Sequence, residues 1–125
     1  MLSISVLPEQ FAICQLKMDE PIPNSIYQSS FYSISKSDEE LSVVCEERFV
    51  KNEIKKSTGW RLLKINAVLD LSLTGITAKF STALAKVGVN LSVIATFNTD
   101  YILVEHVKLL TAIVALREAG FEVSE

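Results

Sequence analysis

Two segments thirty-two residues apart end in the same way, and this internal repeat limits the possible folds more than any other feature of the chain. Ala83-Leu84 is followed by Gly88-Val89-Asn90-Leu91-Ser92, and Ala115-Leu116 by Gly120-Phe121-Glu122-Val123-Ser124. Each reads as the close of a helix, a glycine stop and a strand. Upstream of the first stop, Ile76, Phe80, Ala83, Leu84 and Val87 recur at steps of 4, 3, 1 and 3, which is one face of a helix. Upstream of the second, Val107, Leu110, Val114 and Arg117 take a helical step, with Ala112, Ile113 and Leu116 filling in. Trp60 to Leu69 is rich in strand formers, and so are Asn90 to Phe97 and Tyr101 to Val104, the last two separated by the turn formers Asn98-Thr99-Asp100. Phe121 to Val123 supplies a final short strand. The order strand, helix, strand, strand, helix, strand predicts an α+β, ferredoxin-like βαββαβ unit. Its crossovers should be right-handed, leaving both helices on one face of the sheet.

The first half is a worn version of the same plan. Phe11 to Leu16 reads as a strand, Pro21-Ile22-Pro23-Asn24 breaks it, and Ser25 to Ser29 has room for one short helical turn. Phe31 to Ser35 and Leu41 to Cys45 form a predicted strand pair around Ser37-Asp38-Glu39-Glu40. Arg48 to Lys55 is a second short helix and Ser57-Thr58-Gly59 a linker, after which the strand from Trp60 serves both repeats. The expected organisation is two tandem repeats packed as one body, a degenerate N-terminal repeat over residues 1–58 and a complete C-terminal one over residues 59–125.

Composition excludes several classes. Apolar residues make up 49% of the chain and charged residues 22%, the balance of a globular protein with a core. The net charge of −3 and the dilution of Lys51, Lys55 and Lys56 by Glu46, Glu47 and Glu53 leave no basic surface of the kind nucleic acid requires. The strands that would stack bases carry aromatics only at the hairpin ends, Phe97 and Tyr101. Leu109 to Leu116 is far shorter than a membrane span. Met1 is not followed by a signal-peptide pattern. Cys14 and Cys45 lie in apolar, strand-like runs, where thiols act as small apolar residues. A cytoplasmic location is therefore expected. No Cys-x-x-Cys, His-x-x-x-His, P-loop or dinucleotide fingerprint is present, and His106 stands alone. No catalytic residue, metal or cofactor is expected.

Two segments could hold a small molecule. Asp70-Leu71-Ser72-Leu73-Thr74-Gly75 joins a strand to a helix, where unpaired N–H groups and the helix dipole favour a carboxylate. Gly75 would let a ligand backbone approach, and Ser72 and Thr74 add hydroxyls. The alternative is that Thr74 simply caps the helix. In the hairpin Thr96-Phe97-Asn98-Thr99-Asp100, Asp100 would meet a cationic or amine group and Phe97 would form an apolar wall. Asn98 and Asp100 are equally explained as turn residues.

The run from Leu69 to Val104, LDLSLTGITAKFSTALAKVGVNLSVIATFNTDYILV, resembles the ACT domain. Its Leu-Thr-Gly-Ile start and its Ile-Ala-Thr-Phe-Asn-Thr-Asp-Tyr-Ile-Leu-Val segment look like the short tandem-ACT proteins of bacteria. They are also similar to the regulatory domains of aspartate kinase and to cytosolic arginine sensors. Leu7-Pro8-Glu9-Gln10-Phe11-Ala12-Ile13-Cys14 and the Gly59-Trp60-Arg61 step look like the same small family. The resemblance implies an amino-acid-sensing role with the ligand at an interface between ACT units. Ser72, Leu73, Thr74 and Gly75 would face it from the loop, and Thr96, Phe97, Asn98, Thr99 and Asp100 from the hairpin. By the same match, Asp100 would allow a cationic amino acid. It also implies a homodimer, which would bring four repeats together, and a regulated protein partner. The rival expectation is an interaction module that binds no small ligand.

Overall fold

The computed structural model describes residues 2–66 and 75–125. Its elements, in chain order, are β1 (Ser3–Leu16), a 3-10 turn (Asn24–Gln28), β2 (Ser33–Lys36), β3 (Leu41–Glu46), a second 3-10 turn (Glu47–Phe49) and β4 (Lys55–Ile65). Then come α1 (Ile76–Lys86), β5 (Leu91–Ala95), β6 (Asp100–Glu105), a third 3-10 turn (His106–Lys108), α2 (Leu109–Glu118) and β7 (Glu122–Ser124). The chain divides into two compact units, one of Met1–Pro8 with Arg61–Glu125 and one of Glu9–Trp60, so β1 and β4 each run through both.

The larger unit is the ferredoxin-like βαββαβ plan over β4, α1, β5, β6, α2 and β7, with one added strand. β5 and β6 form an antiparallel hairpin in which Leu91 faces Val104 and Ala95 faces Asp100. β6 neighbours β4, as that plan requires. The first residues of β1 are inserted next. They neighbour β4 and pair in parallel with β7, Ser3 opposite Glu122 and Ser5 opposite Ser124. The Asn66 amide donates to the Ser3 carbonyl at 2.9 Å on the β4 side, and the Glu122 amide to the Leu2 carbonyl at 3.0 Å on the β7 side.

Both helices end as their glycines predict. Val89 N–H donates to the Leu84 carbonyl at 3.0 Å, and Phe121 N–H to the Leu116 carbonyl at 3.0 Å. Gly88 and Gly120 take φ of 72° and 98° between those partners, a left-handed conformation that a side chain would crowd. The core joins Phe80 and Leu84 of α1, Leu109, Ala112, Ile113 and Leu116 of α2, and Ile4, Leu63, Ile65, Ile102 and Val104 of the sheet. One expectation is reversed in α2. The face carrying Val107, Leu110 and Val114 is exposed, and the residues that filled in between them are the buried ones.

The smaller unit repeats the plan with each helix cut down to a 3-10 turn. β3 pairs antiparallel with β2 and, across its other edge, with β1, where Ala12 faces Cys45 and Cys14 faces Val43. A small core of Ala12, Cys14, Ile26, Val43, Cys45 and Val50 fills it. The second helix expected over Arg48–Lys55 shrinks to Glu47–Phe49, and the expected linker Ser57–Gly59 lies inside β4. Both cysteines are free thiols.

A buried carboxylate organises this unit. Glu46 Oε2 accepts from the Ser30 amide at 2.6 Å and Oε1 from Arg48 Nε at 2.8 Å. The Glu46 amide in turn donates to Ser29 Oγ at 2.9 Å, whose hydroxyl donates to the Phe31 carbonyl at 2.6 Å. Burial pushes the Glu46 carboxyl up, but the Ser30 and Arg48 hydrogen bonds outweigh it and hold it below its ordinary range.

Candidate functional site

Of the predicted loop, Ser72, Leu73 and Thr74 lie outside the described residues, and Gly75 lies inside them. Gly75 occupies the N-cap position of α1 with φ of 89°, and among the described residues a Cβ placed there would meet no atom within 4 Å. Its carbonyl accepts the first helical bond, from Lys79 N–H at 2.9 Å. The amides of Ile76, Thr77 and Ala78 precede that bond and have no acceptor within the helix.

The hairpin residues fall into distinct positions. Thr96 and Thr99 close the turn on each other. Thr96 N–H and its hydroxyl both donate to the Thr99 carbonyl at 2.9 Å, and Thr99 N–H donates to Thr96 Oγ1 at 3.3 Å. Thr99 is buried, and its hydroxyl donates to the Ile65 carbonyl at 2.7 Å, which pins the hairpin to the end of β4. Phe97 is fully exposed at the tip and Asn98 is exposed beside it. Asp100 is half-buried at the start of β6.

The hairpin meets the first turn of α1 through a residue that sequence reasoning did not single out. Thr77, in the first turn of α1, donates its hydroxyl to Asp100 Oδ2 at 3.3 Å. A carboxylate from the hairpin, a hydroxyl from the helix and the open backbone of Gly75 therefore share one end of this unit. A spacing of 23 positions between Thr77 and Asp100 carries no sequence signal.

Elsewhere, His106 is exposed, with Nδ1 3.4 Å from Arg61 Nη1, and Arg61 Nη2 donates to the Leu7 carbonyl at 2.9 Å. Among the described residues no three His, Cys, Asp or Glu side chains are grouped as a metal would need. No described helix is long and apolar enough to cross a membrane. A cleft of about 570 Å³ in the smaller unit is lined by residues that include Leu16, Lys17, Pro21, Lys51, Ile54 and Lys55, none of them in the predicted site.

The model of the ACT domain matches residues 56–118, and a separate N-terminal-domain model matches residues 9–53. No curated protein matches the chain. Among solved structures, a protein from Agrobacterium tumefaciens is 27% identical with a TM-score of 0.91, over 98% of this chain and 92% of that one. A Vibrio cholerae protein described as of unknown function and a possible transport protein is 24% identical with a TM-score of 0.75, over 94% and 89% of the two chains. The regulatory subunit of aspartate kinase from Thermus thermophilus is 12% identical with a TM-score of 0.66, over 94% of this chain and 97% of that one. The last two likenesses are of fold alone.

Proposed function

The chain belongs to the ACT domain family, and from that premise we propose that it is a cytoplasmic, non-catalytic regulatory protein whose ligand is a free amino acid. The observation that carries the reading is the Thr77–Asp100 contact beside Gly75. An amino acid has an anionic end and a cationic end a few ångströms apart. The amides at the start of α1, with the dipole of an eleven-residue helix behind them, suit the carboxylate. Asp100 suits the ammonium, or the charged end of a cationic side chain, and Thr77 holds its carboxylate in place. Gly75 leaves the approach free of side chain. Ser72, Leu73 and Thr74 would complete the loop side, and Thr96, Phe97, Asn98 and Thr99 the hairpin side. In this reading the chain acts as a homodimer on a regulated protein partner.

The test is a thermal-shift screen of the twenty amino acids. A ligand that binds only the native state at about a hundred times its Kd stabilises by about 2.7 kcal/mol, a shift of about 10 °C for a chain of this size. The reading expects at least one such response at millimolar concentration and its loss in Asp100→Ala. No response from any amino acid would refute it. It would leave the second reading, an interaction module without a small ligand, which the exposed apolar face of α2 favours.

A further inference from the structure

The cleft of about 570 Å³ in the smaller unit lies apart from the amino-acid site, and its walls are two closed turns. One follows β1. There Glu20 N–H donates to the Lys17 carbonyl at 3.3 Å, and Pro21 and Pro23 stiffen the backbone beyond it. The other leads into β4, where Ile54 N–H donates to the Lys51 carbonyl at 3.2 Å. Lys56 clamps this second turn, its ammonium donating to the carbonyls of Lys51, Asn52 and Ile54 at 3.1, 3.4 and 3.3 Å. The cleft is therefore preformed, and its volume is that of a small-molecule site.

The lining divides by exposure. Leu16, Pro23 and Ile54 are half-buried, and Leu16 and Ile54 pack on the small core. Lys17, Glu20, Lys51, Glu53 and Lys55 are exposed. Lys17 and Glu20 answer each other at 3.7 Å. That leaves Lys51 and Lys55 against Glu53, and among the described residues none of these three side chains makes an ion pair. Among the same residues the Lys56 ammonium meets carbonyls and no carboxylate. The cleft is thus a positive patch on a chain whose net charge is −3.

We propose that this cleft binds an organic anion with an apolar body. A ring or short acyl chain rests on Leu16, Pro23 and Ile54, and its carboxylate is held by Lys51 and Lys55. Burying the body supplies affinity, and the two ammonium groups supply the choice of charge. An α-ammonium beside the carboxylate would add positive charge to a site that already has an excess of it, so the acid is preferred to the corresponding amino acid. Inorganic phosphate would satisfy the lysines but leave the apolar floor in water. The proposal goes beyond the amino-acid reading and does not rest on it, since the residues differ and the preference for an ammonium group is opposite.

Titration of the whole chain with anilinonaphthalene sulfonate, a fluorescent aryl anion, tests it. Phenylpropanoate, phenylalanine and inorganic phosphate serve as competitors. The probe should bind with a Kd on the order of tens of micromolar, the range for a ligand of about twenty heavy atoms. Phenylpropanoate should displace it about tenfold or more better than phenylalanine or phosphate. Amide NMR shifts caused by phenylpropanoate should cluster in residues 15–20 and 51–55. Lys51→Glu and Lys55→Glu should each weaken the probe about fivefold and together about twentyfold, with circular dichroism unchanged. Asp100→Ala should leave its Kd within about twofold, which keeps this site distinct from the amino-acid one. Phenylalanine or phosphate competing as well as phenylpropanoate overturns the proposal. So does a probe signal that survives the paired reversal, or one that Leu110→Asp removes, which would place it on the exposed face of α2. The absence of both probe fluorescence and amide shifts overturns it as well.

Discussion

Thr77 Oγ1 lies 3.3 Å from Asp100 Oδ2, so the first turn of α1 and the first residue of β6 are joined by one hydrogen bond to a carboxylate. Neither side chain belongs to the core, and both sit at the end of the larger unit where α1 begins. Their substitution should separate binding from folding. Asp100→Ala should abolish the melting-temperature response to the best amino acid while moving the unliganded melting temperature by less than about 4 °C, as for a change of under about 1 kcal/mol. Thr77→Val should weaken the same response without removing it, since it leaves the charge and takes away only its positioning. A ligand response unchanged in Asp100→Ala would remove this residue from the site.

Gly75 separates conformational from steric cost. Among the described residues a Cβ there has open space around it, yet φ of 89° lies in the region that side chains rarely adopt. Gly75→Ala should therefore cost about 1–2 kcal/mol in denaturant unfolding, all of it backbone strain. A neutral result would show that the backbone there relaxes.

Glu46 should make the smaller unit sensitive to acid. Its folded carboxyl titrates below the ordinary value of 4.5, because Ser30 and Arg48 favour the charged form more than burial disfavours it. The stabilisation is complete above that ordinary value and is lost as pH falls through the lowered folded one. Glu46→Gln should cost about 1–3 kcal/mol at neutral pH and flatten stability against pH below about 4.5. Urea unfolding at a series of pH values measures both effects.

Cys14 and Cys45 should be inert in the native protein. Both are buried: the Cys14 thiol and burial push Cys45 well above the ordinary thiol range, while the Cys45 hydrogen bond draws Cys14 below it, so Cys14 is protected by its burial alone. A thiol-specific reagent at about pH 8 should label neither in the folded chain and both after unfolding. Labelling without unfolding would show that β1 and β3 part locally.

Core position can be set against surface position on neighbouring helices. Leu84 is fully buried on α1, and Leu84→Ala should cost about 2–5 kcal/mol. Leu110 is 73% exposed on α2, and Leu110→Ala should change the stability of the monomer by less than about 0.5 kcal/mol.

What could be read in the sequence was whatever depends on local chemistry. Gly88 and Gly120 stop their helices because the left-handed step is a property of glycine itself, whatever surrounds it. The hairpin of β5 and β6 follows from alternation on both sides of a turn. The missed features depend on partners distant in the chain. Ser57-Thr58-Gly59 has the composition of a linker, but β4 runs through it. In α2, Leu109 and Leu110, Ile113 and Val114 are apolar side by side, so periodicity could not say which of each pair meets the sheet. The shrunken helix after Arg48 and the Thr77–Asp100 contact have no local signature either.

The insertion of Ser3–Ser5 beside Glu122–Ser124 also carries a consequence for synthesis. Glu9–Trp60 can assemble once residue 60 has left the ribosome, but the larger unit must hold its opening strand unmatched on one side until residue 124 emerges. Among the described residues this contact closes the longest loop, so its completion should be the slow, late event in folding. During translation, that bare strand margin is what a chaperone, or an errant neighbouring chain, would find first.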